Sequence, residues 1–335
     1  RNLLDRNYLP CCKTALHALH PKETNMTAFP RINRTSVLLG GLLLASLSHS
    51  AFAWNVTPTD VSFSNVDGHA VPGKLFSPAT LPDAALPAVI MLHGCAGIYN
   101  ANGTVSSIYR EWGDRLVAAG YVALLVDSYT PRGAANQCGN GAGVGVSEIF
   151  DRPKDASAAY AHLSTLPYIN ASKVGVLGWS NGGSTVVATL ATTNPVDTTI
   201  VNPYANSTPL KVGIAFYAGC GLADYQCGTQ KNGKPASCWG GLSGSKWASY
   251  APLQMLHGTA DSTVSIQSCT TRTSLAQNQP GGASVALAAF NNAQHSFDDP
   301  SVGIGNCVDS SSTPNSCAKQ QSDVAAMNIL AGYLK

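Results

Sequence analysis

The stretch "VGVLGWSNGGSTVVATL", Val174 to Leu190, decides how the chain is read. Apolar residues run to Leu177, Gly178-Trp179-Ser180-Asn181-Gly182 follows, and a run of small, helix-compatible residues then begins. A serine between glycines, where a strand stops and a helix starts, can be held on a sharp turn with its hydroxyl presented as a nucleophile. In a chain with 32 glycines, a bare G-x-S-x-G carries little weight alone. The surrounding sequence has to supply a base, an acid and donors for an oxyanion.

The surroundings read as alternating strands and helices. "ALPAVIMLHG", "YVALLVDSY", "KVGVLGWS", "KVGIAFYAG", "APLQMLHG" and "ASVALAAF" are short, nearly continuous apolar runs. Continuous hydrophobicity marks strands covered on both faces, as in a parallel sheet. Helical stretches are expected over 106–119, 152–166, 181–192, about 271–278 and 318–334. Residues 56–76 alternate and turn at "VDGHAVPG", which reads as an opening antiparallel hairpin. The expected fold is α/β: a mostly parallel central sheet, helices on both faces and an N-terminal hairpin. In such sheets ligands bind beyond the carboxyl ends of the strands.

Ser180 needs a base that is itself oriented by a third group. Downstream of it only His257 and His295 occur. His257 lies inside a strand-ending "MLHG" and is expected to pack there, which leaves His295, in "NNAQHSFDD", as the base. Asp261, in "LHGTADSTV", follows another strand end and is the expected acid. Asp298 and Asp299 lie too close to His295 in the chain to come from a different strand end. The order Ser180, Asp261, His295 is that of the α/β-hydrolase fold. Oxyanion donors are expected from the backbone amides of Asn181, at a helix N-terminus, and of Cys95, in "MLHGCAG". Gly94 lets that backbone approach substrate, and His93 is expected to brace the loop. Tyr129, Trp179 and Arg132 complete the candidate substrate contacts, Arg132 as a ligand for a carboxylate or as an anchor of its own loop.

Composition sets the setting. Arg1 opens the sequence and Met26 is its first methionine. From Met26, a basic start, an apolar core at 37–47 and Ala51-Phe52-Ala53 read as a signal peptide cleaved before Trp54. Residues 1–25 read as translation from upstream of the true start, and residues 54–335 as a single domain. Without residues 1–53 the net charge falls from +2 to −2, and no basic patch remains for nucleic acid. Ten cysteines drop to eight, an even number that suits disulfides in a secreted or periplasmic protein. Cys307 and Cys317 are the expected local pair, and at least one of Cys220, Cys227 and Cys238 is expected to pair in its loop. No metal-ligand spacing appears, so no metal or cofactor is expected. No membrane contact is expected after cleavage, and the oligomeric state is left open.

"LHGCAG", "VDSYTPRG", "GWSNGG", "HGTAD" and "AQHSF" together resemble the dienelactone hydrolase family of the α/β-hydrolases, from about Ala70 to the C-terminus. The resemblance implies a triad of Ser180, Asp261 and His295. Founding members use a cysteine nucleophile and a glutamate in the loop after the third strand. Here Ser180 takes the first place, and His93-Gly94-Cys95 supplies no acid at the second. Both changes suit a serine esterase acting on a small-molecule ester. A polyester depolymerase and a catalytically inactive binding module are the alternatives.

Overall fold

The computed structural model describes residues 56–134, 136–139, 145–191, 208–221, 247–277, 282–305, 307 and 312–335. The expected signal peptide, and the residues before it, lie outside these. Everything described falls within one compact unit.

Eight strands form one sheet: β1 Thr59–Ser64, β2 Ala70–Phe76, β3 Leu86–Leu92, β4 Val122–Val126, β5 Ile169–Trp179, β6 Gly213–Phe216, β7 Leu253–Gly258 and β8 Val285–Phe290. Their spatial order is β1-β2-β4-β3-β5-β6-β7-β8. β1 and β2 form the expected hairpin, and β2 also runs antiparallel to β4; every other pairing is parallel. Among the described residues four α-helices connect strands, α1 Ser107–Ala118, α2 Arg152–Thr165, α3 Asn181–Thr189 and α4 Ile266–Gln277, and α5 Pro314–Leu334 follows the last strand. The sequence reading placed the start of α4 five residues late, because "STVSIQSCTT" is rich in Ser and Thr, which favour caps and turns over helix interiors.

Continuous apolar runs arise because each strand feeds two cores. In β3, Ala88, Ile90 and Leu92 point to the side packed by α2, α3 and α4. Val89 and Met91 point to the side packed by α1 and α5. All five are fully buried, and burying an aliphatic side chain of this size contributes roughly 1.5–3 kcal/mol. The helix after β3 lies on one face and the helix after β5 on the other, while the two strands are neighbours. That divergence opens a crevice beyond their carboxyl ends, the usual ligand position in such sheets. No described helix is long and apolar enough to cross a membrane.

Candidate active site

Ser180 occupies the junction of β5 and α3 with φ 52° and ψ −115°. Such a backbone costs a non-glycine residue on the order of 1–3 kcal/mol and persists only where the surroundings enforce it. The flanking glycines make the turn possible. A Cβ at Gly182 would lie 2.0 Å from the Leu92 carbonyl oxygen, and one at Gly178 would lie 2.3 Å from that of Gly182. The motif is therefore a packing requirement: helix α3 starts in contact with the end of β3.

Three loops converge on the hydroxyl. His295 comes from the loop after β8, and its Nε2 lies 3.0 Å from Ser180 Oγ. Its Nδ1 lies 2.7 Å from Asp261 Oδ2, in the loop after β7. Since the carboxylate can only accept, Nδ1 carries the proton and Nε2 is free to accept from the serine. Burial pushes the Asp261 carboxyl pKa up, but hydrogen bonds from His257, His295 and the Val264 amide outweigh it and hold the group well below the usual range. The Thr263 and Val264 amides donate to Oδ1 at 2.9 and 2.8 Å. His257 packs fully buried, as expected; in addition, its Nε2 approaches Asp261 Oδ2 at 3.2 Å and the Val264 carbonyl at 3.0 Å.

On the other side of Ser180, the amides of Cys95 and Asn181 have no protein acceptor among the described residues. The Asn181 amide is one of the orphan donors of a helix N-terminus. His93 braces the Cys95 loop. Its Nδ1 donates to the Gly94 carbonyl at 2.7 Å, and its Nε2 accepts from the Ser128 amide at 3.3 Å. Burial, with the positive charge of Arg152 behind it, pushes the His93 pKa well down and keeps the ring neutral. The Cys95 side chain forms a disulfide with Cys138, and the Cys95 carbonyl accepts from the Gln137 amide at 2.8 Å. The long loop after β4 is thus strapped to the loop after β3.

Other expectations need correcting. Arg132 is not free to hold a substrate carboxylate: it grips Asp155 through both terminal nitrogens, at 2.7 and 2.9 Å, and the Ser128 carbonyl at 2.7 Å. Its role as anchor of its own loop is the one realised. Trp179 is only 2 % exposed; its ring stacks on Phe216 and meets Tyr109 and Trp112 edge-on, and its indole N–H donates to Asp298 at 2.8 Å. Tyr129 is buried too, with its hydroxyl donating to Asn181 Oδ1 at 3.0 Å. Gly94 lies against Ser180, its absent Cβ 3.8 Å from the serine Cβ. Cys307 pairs with Cys317 as expected. Cys220 pairs with Cys269 of α4, while Cys227 and Cys238 lie outside the described residues.

Sequence reasoning missed two side chains around the site, Arg152 and Tyr217, and weighed a third, Asp298, only as a rival acid. Arg152 donates to the His93 carbonyl and to Asn181 Oδ1. Tyr217, at φ 36° just after β6, lays its ring 4.6 Å from that of His295 and donates to Asp298 at 2.7 Å. The positive-φ non-glycine residues of the described chain, Ser180, Tyr217, Asn292 and Ser296, all follow the strand ends at this rim. A functional site is where such strain accumulates.

Comparisons with known proteins agree with this fold. A sequence profile of the dienelactone hydrolase family matches residues 74–216, and one of the prolyl oligopeptidase family matches residues 151–309. No curated protein matches the sequence closely enough to count as a relative. Among solved structures, one described as a dienelactone hydrolase from Klebsiella pneumoniae is 17% identical, with a TM-score of 0.53, covering 81% of this chain and 99% of that one. Esterase 2 of Thermogutta terrifontis with bound propionate is 19% identical, with a TM-score of 0.55 and coverage of 83% and 96%. Dipeptidyl peptidase 4 of Porphyromonas gingivalis is 19% identical at a TM-score of 0.57, covering 84% of this chain but 36% of that one. The chain thus has the α/β-hydrolase fold, and its residues 74–216, from β2 to β6, match the dienelactone hydrolase family.

Proposed function

We propose that the protein is an exported serine hydrolase that cleaves carboxylic esters through an acyl-enzyme. The observation that carries this reading is the unbroken chain Ser180 Oγ, His295, Asp261, at 3.0 and 2.7 Å, with Ser180 held on a left-handed turn. His295 takes the hydroxyl proton as Ser180 Oγ attacks the ester carbonyl, and Asp261 stabilises the imidazolium. The Cys95 and Asn181 amides receive the oxyanion. Collapse of the tetrahedral intermediate expels the alcohol, which takes the proton from His295. Water, deprotonated by the same imidazole, then attacks the acyl-enzyme carbonyl; the second tetrahedral intermediate releases the acid and returns the proton to Ser180.

The three disulfides among the described residues and the signal-peptide pattern support export to an oxidising compartment. The reading favours small or aromatic esters. The polyester alternative rested in part on Trp179, and the burial of that ring removes the argument. The dienelactone-type resemblance and the match to an esterase fold support ester over peptide substrates, while the prolyl oligopeptidase match makes amino-acid p-nitroanilides a necessary control.

The test is hydrolysis of p-nitrophenyl acetate together with labelling by a fluorophosphonate. Native protein is expected to turn over and to be labelled at Ser180. Ser180→Ala is expected to lose both, leaving only the residual rate that binding and the oxyanion donors supply. Turnover retained by the variant overturns the assignment, and an inert, unlabelled native protein supports a binding module.

A further inference from the structure

Arg152, the first residue of α2, is fully buried, yet among the described residues it forms no ion pair. Arg132 and Arg115, by contrast, each meet a carboxylate at 2.7–2.8 Å. Glu148, buried in the segment leading into α2, makes no ion pair with Arg152 either. A buried cation without a counter-charge is expensive, and proteins normally pair it or dispense with it. Nothing in a helix start needs an arginine there, because a helix N-terminus already carries partial positive charge.

The partners of the guanidinium account for it. One terminal nitrogen donates to the His93 carbonyl at 2.7 Å and the other donates to Asn181 Oδ1. The plane lies over the Tyr129 ring at 5.3 Å, and the Tyr129 hydroxyl donates to the same Asn181 oxygen. His93 stands two residues before Cys95, whose amide is one proposed oxyanion donor; Asn181 bears the other. A single rigid fork therefore joins the two halves of the oxyanion hole, which arise from different strands, β3 and β5. A lysine could reach only as a point charge and could not hold both acceptors in one plane. The neighbouring imidazole, His93, stays neutral beside it, and the nearby Arg132 is already paired with Asp155.

Resting on the esterase reading above, we propose that Arg152 is a positioning residue of the oxyanion hole. It locks the Cys95 loop to the Asn181 turn with a guanidinium that no carboxylate among the described residues pairs directly, so that the site favours the anionic transition state over the neutral ester. The inference concerns the oxyanion side of Ser180, which the Ser-His-Asp relay does not touch.

The experiment uses Arg152→Lys, which keeps charge and loses the fork, and Arg152→Met, which loses both. Active sites are counted by end-point fluorophosphonate labelling, and kcat is expressed per labelled serine. Expected is a fall in kcat of about tenfold to a hundredfold for the lysine variant and about a hundredfold to a thousandfold for methionine, with KM within twofold, in the range for loss of oxyanion donors. A boronic acid that forms a tetrahedral adduct on Ser180 should bind more weakly by the same factor as kcat/KM falls. Asn181→Ala keeps the backbone amide but removes the acceptor. Its effect combined with Arg152→Lys should be less than the product of the two alone, since both act through one contact. A purely architectural role predicts instead fewer labelled sites with native kcat per site, and that result overturns the proposal; so does a lysine variant within twofold of native. Should Arg152→Met fail to fold, the lysine variant and the boronate series decide alone. An inert native protein refutes the esterase reading itself, and this assignment falls with it.

Discussion

Asp261 bonds the His295 imidazole, and Asp298 is joined to it through the Tyr217 ring; both side chains are fully buried, and their environments drive them in opposite directions. Asp261 receives two backbone amides and two imidazoles, which outweigh the cost of burial and keep it ionised. Asp298 receives the Tyr217 hydroxyl and the Trp179 indole. Burial dominates there, those two bonds only partly offset it, Asp323 nearby adds repulsion while Lys319 attracts, and the carboxyl is pushed up to about 6. Lys319 is drawn off toward the Asp298 backbone carbonyl and Glu111. Depth alone therefore does not set charge; the number and kind of donors do. One carboxylate bonds the His295 imidazole directly. The other holds Trp179, the residue before Ser180, and Tyr217, whose ring packs on that imidazole.

The largest expected effect separates the two. Asp261→Asn keeps the shape but offers His295 Nδ1 an amide that can stabilise the wrong tautomer. A fall in kcat of about 10⁴ with little change in KM is expected, measured on p-nitrophenyl acetate. If the loss is under tenfold, Asp261 is not the orienting acid and the contrast with Asp298 collapses.

Why the sequence disclosed one of these acids and concealed the other is a matter of geometry. Asp261 follows a strand-ending His-Gly in a fold whose sites lie at strand ends, so its place could be read. Asp298 was set aside for standing three residues from His295, which is correct for a group that must reach Nδ1. That reasoning could not anticipate a turn with Ser296 at φ 55° that carries the chain beneath the site. Arg152 was invisible for a different reason: a basic residue at a helix start normally reads as solvated. Eight cysteines allow 105 complete pairing schemes, and no spacing in the sequence singled out the Cys95–Cys138 bridge. The strands, by contrast, were legible because two-sided burial leaves an unmistakable unbroken apolar run, and Ser180 because its glycines are compelled by backbone contact.

A second test exploits the sign of the two shifts. Asp298 has its pKa raised in the native state, so it binds a proton that the unfolded chain has already lost between about pH 4 and 6. Its contribution to stability is full below pH 4 and is lost as pH rises through about 6, by roughly 3 kcal/mol in all. Asp261 is depressed, so its contribution is present above the ordinary carboxylate range and is lost as pH falls below it. Thermal melts of Asp298→Asn and native protein should therefore diverge with pH, the variant gaining on the native protein by several degrees from pH 4 to pH 7. For Asp261→Asn the deficit should instead shrink as pH is lowered from 5 toward 2. Two differences that move in the same direction would show that the environments are alike.

The smallest effect is the most discriminating. Tyr217→Phe removes the hydroxyl that donates to Asp298 while keeping the ring that packs at 4.6 Å on His295. A hydrogen bond to a charged group contributes about 1.5–3 kcal/mol. Losing it should move the Asp298 midpoint, read from the pH dependence of the melting temperature, upward from about 6 by on the order of one to two pH units. Catalysis should fall less than tenfold with KM unchanged, because the imidazole keeps both its ring contact and Asp261. A midpoint that stays put would mean that the phenol does not hold the ionised form. A fall in kcat as deep as that of Asp261→Asn would mean that the phenol orients the base as much as the acid does, and the division of labour between the two carboxylates would have to be redrawn.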